Sequence, residues 1–306
     1  MTVLVTGGAG YIGSALVHVL HERGAAIRLL DDFSLSSPRN LMDAPSLEFV
    51  RGDIRDADSV ASAMDDVETV IHLAAITGAE QSHDMRERVH DVNTRGTEAV
   101  LDAAETADVD RLVFASSCNV YGETYADYLT EADEPAPRNP YAESKLAGEA
   151  ACAEAELDGV SLRLGTNFGW SPGIRFNLVV NDFVFRALAD EPLTVYGDGS
   201  NWRPFMHVQD TARTLVDAVT WDPGVYNVAH DNYQIETIAE AVESVVDRPV
   251  ETDYLRDRDP GPSYHVDCSR AREQGFETEY SLEAGIRDLV DRFGRFGERR
   301  TPLAER

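Results

Sequence analysis

The chain contains a single lysine. Of the 27 residues counted as lysine or arginine among its 306, all but Lys145 are arginine. Basic residues as a class are scarce: 55 Asp and Glu stand against them, for a formal net charge of -28. A surface so negative repels nucleic-acid phosphates and anionic lipid headgroups, which argues against nucleic acid and membrane as partners. Cysteine is nearly absent. Cys118, Cys152 and Cys268 are odd in number and lack CxxC spacing, so neither a disulfide framework nor a zinc site is expected. No apolar run reaches membrane-spanning length, and the N-terminal MTVLVTGGAG has no basic flank or cleavage pattern. A soluble, cytoplasmic protein is the expectation.

What is there describes a folded protein. Apolar residues make up 43%, an ordinary share for a globular chain, and the length suits one large domain or two modest ones. The acids are spread along the whole sequence and not gathered in a tail. Such an evenly acidic, lysine-poor surface fits a high-salt cytoplasm, where screening relieves self-repulsion, so a halophilic habitat is expected.

Short β-branched runs alternate with helical patterns in the first half. Strands are predicted at 2–6, 25–31, 47–50, 69–75, 111–117 and 160–164, and helices at 11–23, 84–107 and 141–157. This alternation predicts an α/β fold with a doubly wound parallel sheet. After about residue 165 the pattern gives way to Gly/Pro-rich loops (GWSPGIRF, YGDGSNWRPF, RDRDPGPS), with helices near 176–189, 208–220, 235–247 and 281–293. The expected organisation is therefore a first domain over 1–165 and a smaller lobe over 166–296, interleaved with the first. Residues 297–306 are expected to form a tail.

Two motifs carry chemistry. In VTGGAGYIG, Gly7, Gly10 and Gly13 directly follow the first strand and open the first helix. Side chains there would block a tight turn and keep a pyrophosphate from the helix N-terminus. Asp31 and Asp32 end the second strand about twenty residues on, where a carboxylate accepts from both ribose hydroxyls and repels a 2′-phosphate; NAD is expected over NADP. The second motif is NPYAESKLAG. Tyr141 and Lys145 stand four apart on a predicted helix and so share a face. A free phenol titrates near 10; a neighbouring ammonium, with a cationic nicotinamide, is expected to lower it by about a unit or more. Arginine is a poor substitute for a compact ammonium that must also bond a ribose hydroxyl, a sufficient reason to keep one lysine. Ser116 and Ser117 close the fifth strand at the C-terminal edge of the sheet, where such folds bind ligands. His72 and His207 sit in strand-like runs without ligand partners and are read as structural.

With TGGAGYIG, GDIRD, HLAA, NTRGT, SSCNVYG, PYAESK and WRPFMHVQD in hand, the chain resembles the extended short-chain dehydrogenase/reductases of the nucleotide-sugar epimerase/dehydratase family over essentially its whole length. The resemblance implies a Rossmann-type fold with a C-terminal substrate-binding lobe, NAD as cofactor, no metal, a nucleotide-diphosphate sugar as substrate, and a homodimer formed through the helices starting near 84 and 141. It makes Ser117, Tyr141 and Lys145 the catalytic set. For the cofactor it adds Tyr11, Ile12, Asp53, Ile54, Leu73, Ala74 and Ala75, with Asn93 supporting the site. For the substrate it points to Ser117, to Arg203 on the diphosphate, to Thr166, which stands where many epimerases carry asparagine, and to Asn181 or Asn177. Arg258 or Arg256 would give a second phosphate contact. The family's dehydratases carry Asp-Glu after the catalytic Ser/Thr, and here those positions are Cys118 and Asn119. The reaction expected is therefore 4-epimerisation of a UDP-sugar through a transient 4-keto sugar. A ketosugar reductase or sugar dehydrogenase is the first alternative, and a non-catalytic NAD-sensing protein a second.

Overall fold

A computed structural model describes residues 1–78, 81–122 and 128–297. In chain order the first half contains β1 (Thr2–Thr6), α1 (Tyr11–Glu22), β2 (Ala26–Asp31), β3 (Glu48–Arg51), α2 (Ala57–Ala63), β4 (Thr69–His72), α3 (Arg86–Val89), α4 (Gly96–Thr106), β5 (Arg111–Ser117), α5 (Pro140–Glu154) and β6 (Asp158–Leu164). The second half adds β7 (Thr166–Phe168), α6 (Val179–Leu188), β8 (Leu193–Tyr196), β9 (Trp202–His207), α7 (Val208–Asp217), β10 (Gly224–Val228), β11 (Asp231–Gln234), α8 (Ile235–Val246), β12 (Thr252–Leu255), α9 (Ser269–Glu273) and α10 (Leu282–Gly297).

Seven strands form one parallel sheet in the order β10-β6-β5-β4-β1-β2-β3. The central strands β1 and β4 are buried on both faces, as near-continuous apolar runs such as VLV require. Leu16 and Leu20 of α1 and Leu215 of α7 pack on one face, Leu101 of α4 and Val60 of α2 on the other. The chain crosses sides at β1, so the C-terminal ends of β1 and β4 open a crevice between the connections.

Several boundaries differ from those predicted. The fourth strand stops at His72 and not 75, because the Ala74 amide donates to the Thr6 side-chain oxygen at 3.3 Å after the last ladder bond, Leu73 to Thr6 at 3.1 Å. The helix expected over 84–107 is interrupted by a π-helical stretch, His90–Arg95. The strands of the second half have no counterpart among the predicted elements. Three of them, β11-β9-β7, form a small sheet, and β12 pairs with β8. Another, β10, returns to the main sheet beside β6, and α7 returns to pack on α1, where Arg23 pairs with Asp217 at 3.0 Å. A separate core of Phe168, Phe183, Phe205, Ile238 and Ile286 holds the second lobe. Of the predicted tail, residues 298–306 lie outside the described residues. Among the described residues no helix is long and apolar enough to cross a membrane.

Candidate active site

The turn between β1 and α1 is shaped by backbone proximity. Gly7 has φ +69°, and a Cβ there would lie 2.7 Å from the Ala74 amide nitrogen. At Gly13 a Cβ would meet the Gly8 Cα and carbonyl oxygen at 2.6 Å. Only hydrogen fits at either place. Gly10 caps α1 without a side-chain bond, so the helix presents its free amides and positive end to the crevice. A dinucleotide pyrophosphate suits that cradle.

Asp31, at the end of β2, is 7% exposed. Its carboxylate accepts from the amides of Ala9 and Phe33, each at 2.9 Å, and from the Ser36 hydroxyl at 2.8 Å. These bonds fix the acid against the glycine turn, where a ribose would lie. Asp32 accepts from the Ser34 amide at 2.8 Å. Asp53 is held by Arg55, whose hydrogen bonds push its carboxyl below the usual range.

A cavity of about 380 Å³ runs from this turn to α5. Its wall includes Gly7, Gly10, Tyr11, Ile12, Gly13, Asp31, Asp32, Asp53, Ile54, Leu73, Ala74, Ala75, Tyr141 and Lys145, which brings nearly all of the predicted cofactor residues to one place. The volume lies within the range of small-molecule sites.

At the α5 end, Asn139 caps the helix by accepting from the Ala142 amide at 2.9 Å, and Pro140 takes the first turn. That start places Tyr141 and Lys145 on the inward face. Ser117, the last residue of β5, is near enough to the Tyr141 phenol to lower its pKa. Ser117 Oγ accepts from the Asn119 amide at 3.2 Å and side-chain nitrogen at 3.3 Å. Lys145 Nζ lies 4.8 Å from the Phe114 ring centroid and 5.9 Å from that of Tyr141.

The electrostatics correct one expectation. Burial raises the Tyr141 phenol above its ordinary value, and the influences that lower it are the nearby Ser117 and the charge of Arg175, not Lys145. The lysine itself is pushed down to about 8 by burial. Desolvation works against both charged forms, yet at neutral pH Lys145 is still mostly an ammonium.

Asn93, expected to support the site, stands outside the cavity wall. It lies in the π-helical stretch, 2% exposed, and does not face the cavity. Its oxygen accepts from the Ile76 amide at 2.7 Å, and its nitrogen donates to the Ile76 carbonyl at 2.9 Å and to Ser144 Oγ at 3.0 Å. It ties the loop after β4 to α5 from behind.

The predicted substrate contacts are less well placed. Asn181 is corrected: it is fully buried, with its oxygen accepting from the Gly169 amide at 2.9 Å and its nitrogen donating to the Arg175 carbonyl at 3.0 Å. Nothing is left for a ligand. Asn177, the other candidate, lines the cavity instead. Thr166 begins β7, Arg203 lies in β9 with its guanidinium 5.6 Å from the Tyr264 ring centroid, and Arg258 is exposed beyond β12; none of the three lines the cavity.

The sequence did not single out Arg175, Thr77 or Arg88, all on the cavity wall. Arg175 donates to the Thr77 hydroxyl and, at 3.2 Å, to Asn177 Oδ1. It rides on the loop 169–178, which is anchored to the glycine turn: Tyr11 OH donates to the Gly169 carbonyl at 2.8 Å, and the Gly173 amide donates to Ser14 Oγ at 3.0 Å. A lone arginine in an aperiodic loop gives no signal to distinguish it from the others.

A doubly wound sheet with a glycine cradle, an acid after β2 and the Tyr141–Lys145 pair in one cavity, with Ser117 at the adjoining strand end, defines a dinucleotide-dependent enzyme class. Residues 3–229 match the NAD dependent epimerase/dehydratase family, and the chain belongs to it. It is an NAD-dependent enzyme of extended short-chain dehydrogenase/reductase type. It is 34% identical to the low-salt glycan biosynthesis protein Agl12 of Haloferax volcanii, covering 95% of this chain and 98% of that one. A UDP-glucose 4-epimerase of Streptomyces lividans is 32% identical over 81% of this chain and 82% of its own. Among solved structures, the UDP-glucose 4-epimerase of Thermus thermophilus in complex with NAD superposes with a TM-score of 0.86 at 30% identity, over 96% of this chain and 99% of that one.

Proposed function

We propose that this protein is an NAD-dependent nucleotide-sugar 4-epimerase acting on a UDP-sugar. The observation that carries the reading is the meeting, in one cavity, of the glycine cradle and Asp31 with Tyr141 and Lys145, with Ser117 beside the Tyr141 phenol. The Streptomyces and Thermus relatives, both UDP-glucose 4-epimerases, support the substrate class.

Gly7, Gly10 and Gly13 would take the NAD pyrophosphate, Asp31 the adenosine ribose, and Lys145 the nicotinamide ribose. Bound there, NAD supplies a reversible two-electron sink for the sugar. The chain's own part is proton transfer and orientation. Tyr141 takes the proton of the C4 hydroxyl as C4 becomes a carbonyl and returns it when the hydroxyl re-forms, and Ser117 holds that oxygen. The Arg175 charge favours the phenolate, and the positive nicotinamide, once bound, would add to it. For epimerisation the ketosugar must turn over before it is reduced, and the second lobe would give it room. Asn177 and Arg175 on the cavity wall, with Arg203 beyond it, would hold the nucleotide diphosphate.

Elimination of water is disfavoured by the groups after Ser117. The Cys118 thiol is buried, donates to the Arg163 carbonyl at 3.0 Å and is pushed well up by burial; Asn119 bonds Ser117. Neither is an acid.

The acidic, lysine-poor surface supports a halophilic cytoplasm, and the exposed Glu143, Ala150 and Glu154 on the outer side of α5 offer a face for a homodimer. The test is incubation with UDP-glucose and UDP-galactose separately in concentrated KCl, following sugars by NMR and reduced nicotinamide by absorbance. Interconversion without net reduced nicotinamide is expected. Its accumulation in proportion to substrate would mean a dehydrogenase.

A further inference from the structure

A buried ion pair lies behind the cavity wall. Glu149, one turn beyond Lys145 on α5, is 5% exposed, and Arg163 on β6 is 4% exposed. Arg163 donates through Nη2 to Oε2 at 2.8 Å and through Nε to Oε1 at 3.0 Å. Ser116 Oγ donates to the same Oε1. On its other side Arg163 Nη1 donates to Tyr121 OH at 2.9 Å, and that hydroxyl donates to Asn227 Oδ1 of β10 at 2.7 Å. Buried ion pairs are seldom a net source of stability, so this one calls for another account.

Its position supplies one. Ser116 lines the cavity and directly precedes Ser117. The Glu149 carboxylate therefore has the helix of Tyr141 and Lys145 on one side and the strand end carrying Ser117 on the other. Residues four apart on a helix share a face, so Glu149 is a neighbour of Lys145 on α5.

We propose that Glu149, clamped by Arg163 and Ser116, is the positioning residue of this site: it fixes α5 against the end of β5 and its charge keeps Lys145 an ammonium.

The surroundings of Lys145 leave that role to Glu149. Tyr141 and Cys152 share its helix, and burial keeps both protonated. His72 from β4 is neutral, pushed down to about 3, and is bonded to Thr6 and Thr97. From β5 come the Phe114 ring and Ser116; Cys118 follows, and burial keeps its thiol protonated. Arg163 from β6 is spent on Glu149, and Arg175 and Arg88 on the cavity wall are cations. In the π-helical stretch, Asp91 is paired with Arg55 and Arg95. Burial pushes Lys145 down; Cys152 and Glu149 oppose it, and of those two Glu149 is the one that carries charge.

The single lysine makes the test direct, and the outcome does not depend on which sugar is turned over. Protein grown on lysine isotope-labelled at Cε carries one such label, whose NMR shift follows the charge of Lys145 through a pH titration in concentrated KCl. The native midpoint is expected at about 8. Glu149→Gln keeps the shape and one acceptor oxygen, and should lower the midpoint by about one unit. Arg163→Gln should not lower it, and the double variant should fall between Glu149→Gln and native. A native midpoint in Glu149→Gln, or the same fall in all three variants, would overturn the proposal. If Glu149→Gln does not fold, the double variant, which leaves neither charge unpaired, decides: a midpoint at or above native refutes it.

Discussion

The two ends of the cavity are built by different means. At the cofactor end the walls are backbone: a Cβ on Gly7 would come within 2.7 Å of the Ala74 amide nitrogen, and α1 offers its bare N-terminus. At the other end, where the proposal puts the substrate, the walls are side chains, with Arg175 and Asn177 on a loop pinned by Tyr11, Ser14 and Asn181. A backbone cradle cannot change without disturbing the sheet it belongs to, so its specificity is tied to the fold. Side chains on a pinned loop can be exchanged while the fold stands. The difference teaches where a family can keep its cofactor and vary its substrate.

The largest effect expected lies between the two ends. Tyr141→Phe should lower kcat by about three orders of magnitude, the middle of the range for a proton-transfer group, while NAD affinity and thermal stability change little. Steady-state kinetics and NAD titration check this together.

At the backbone end, Gly7→Ala should cost about 3 kcal/mol of stability, combining a positive φ with a contact on backbone. NAD binding should weaken at least about tenfold as the turn shifts. Denaturant unfolding and NAD titration in concentrated KCl measure the two.

At the side-chain end the contrast is between neighbours. Arg175→Ala should raise KM about tenfold, the scale of a lost charge-assisted bond, and leave NAD affinity near native. Asn181→Ala should instead cost about 2 kcal/mol of stability, because the Gly169 amide and Arg175 carbonyl lose buried partners. A rise in KM without loss of stability at Asn181 would return that residue to the substrate.

The smallest effect is one of pH. Activity should fall as pH rises through about 8, where Lys145 loses its proton. An unfolded lysine holds its proton to near 10.4, so between those values the unfolded chain binds more protons. Lys145 therefore makes stability rise with pH in the window where activity falls. Alkaline unfolding would make both fall. Comparison with Lys145→Met in parallel unfolding and rate profiles isolates the lysine's share.

The same contrast explains what could be read in advance. Gly7, Asp31, Tyr141 and Lys145 were legible because the turn demands glycine, the acid follows a strand by a fixed length, and the helix repeat puts two residues on one face. Arg175 and Thr77 were not, since a loop has no period to mark the residue that turns inward. Asn181 misled for a related reason: an asparagine near a predicted substrate loop looks available until its two amide atoms are seen bonded to backbone. The strand β10 escaped notice because its partner, β6, lies about 60 residues away in the sequence.

The measurement that tests the account most directly follows the hydrogen on C4. UDP-glucose deuterated at that carbon, incubated with the protein in concentrated KCl, is predicted to give UDP-galactose with the deuterium still on C4 and no accumulation of reduced nicotinamide. Deuterium lost to water, or reduced nicotinamide rising with substrate consumed, would contradict it.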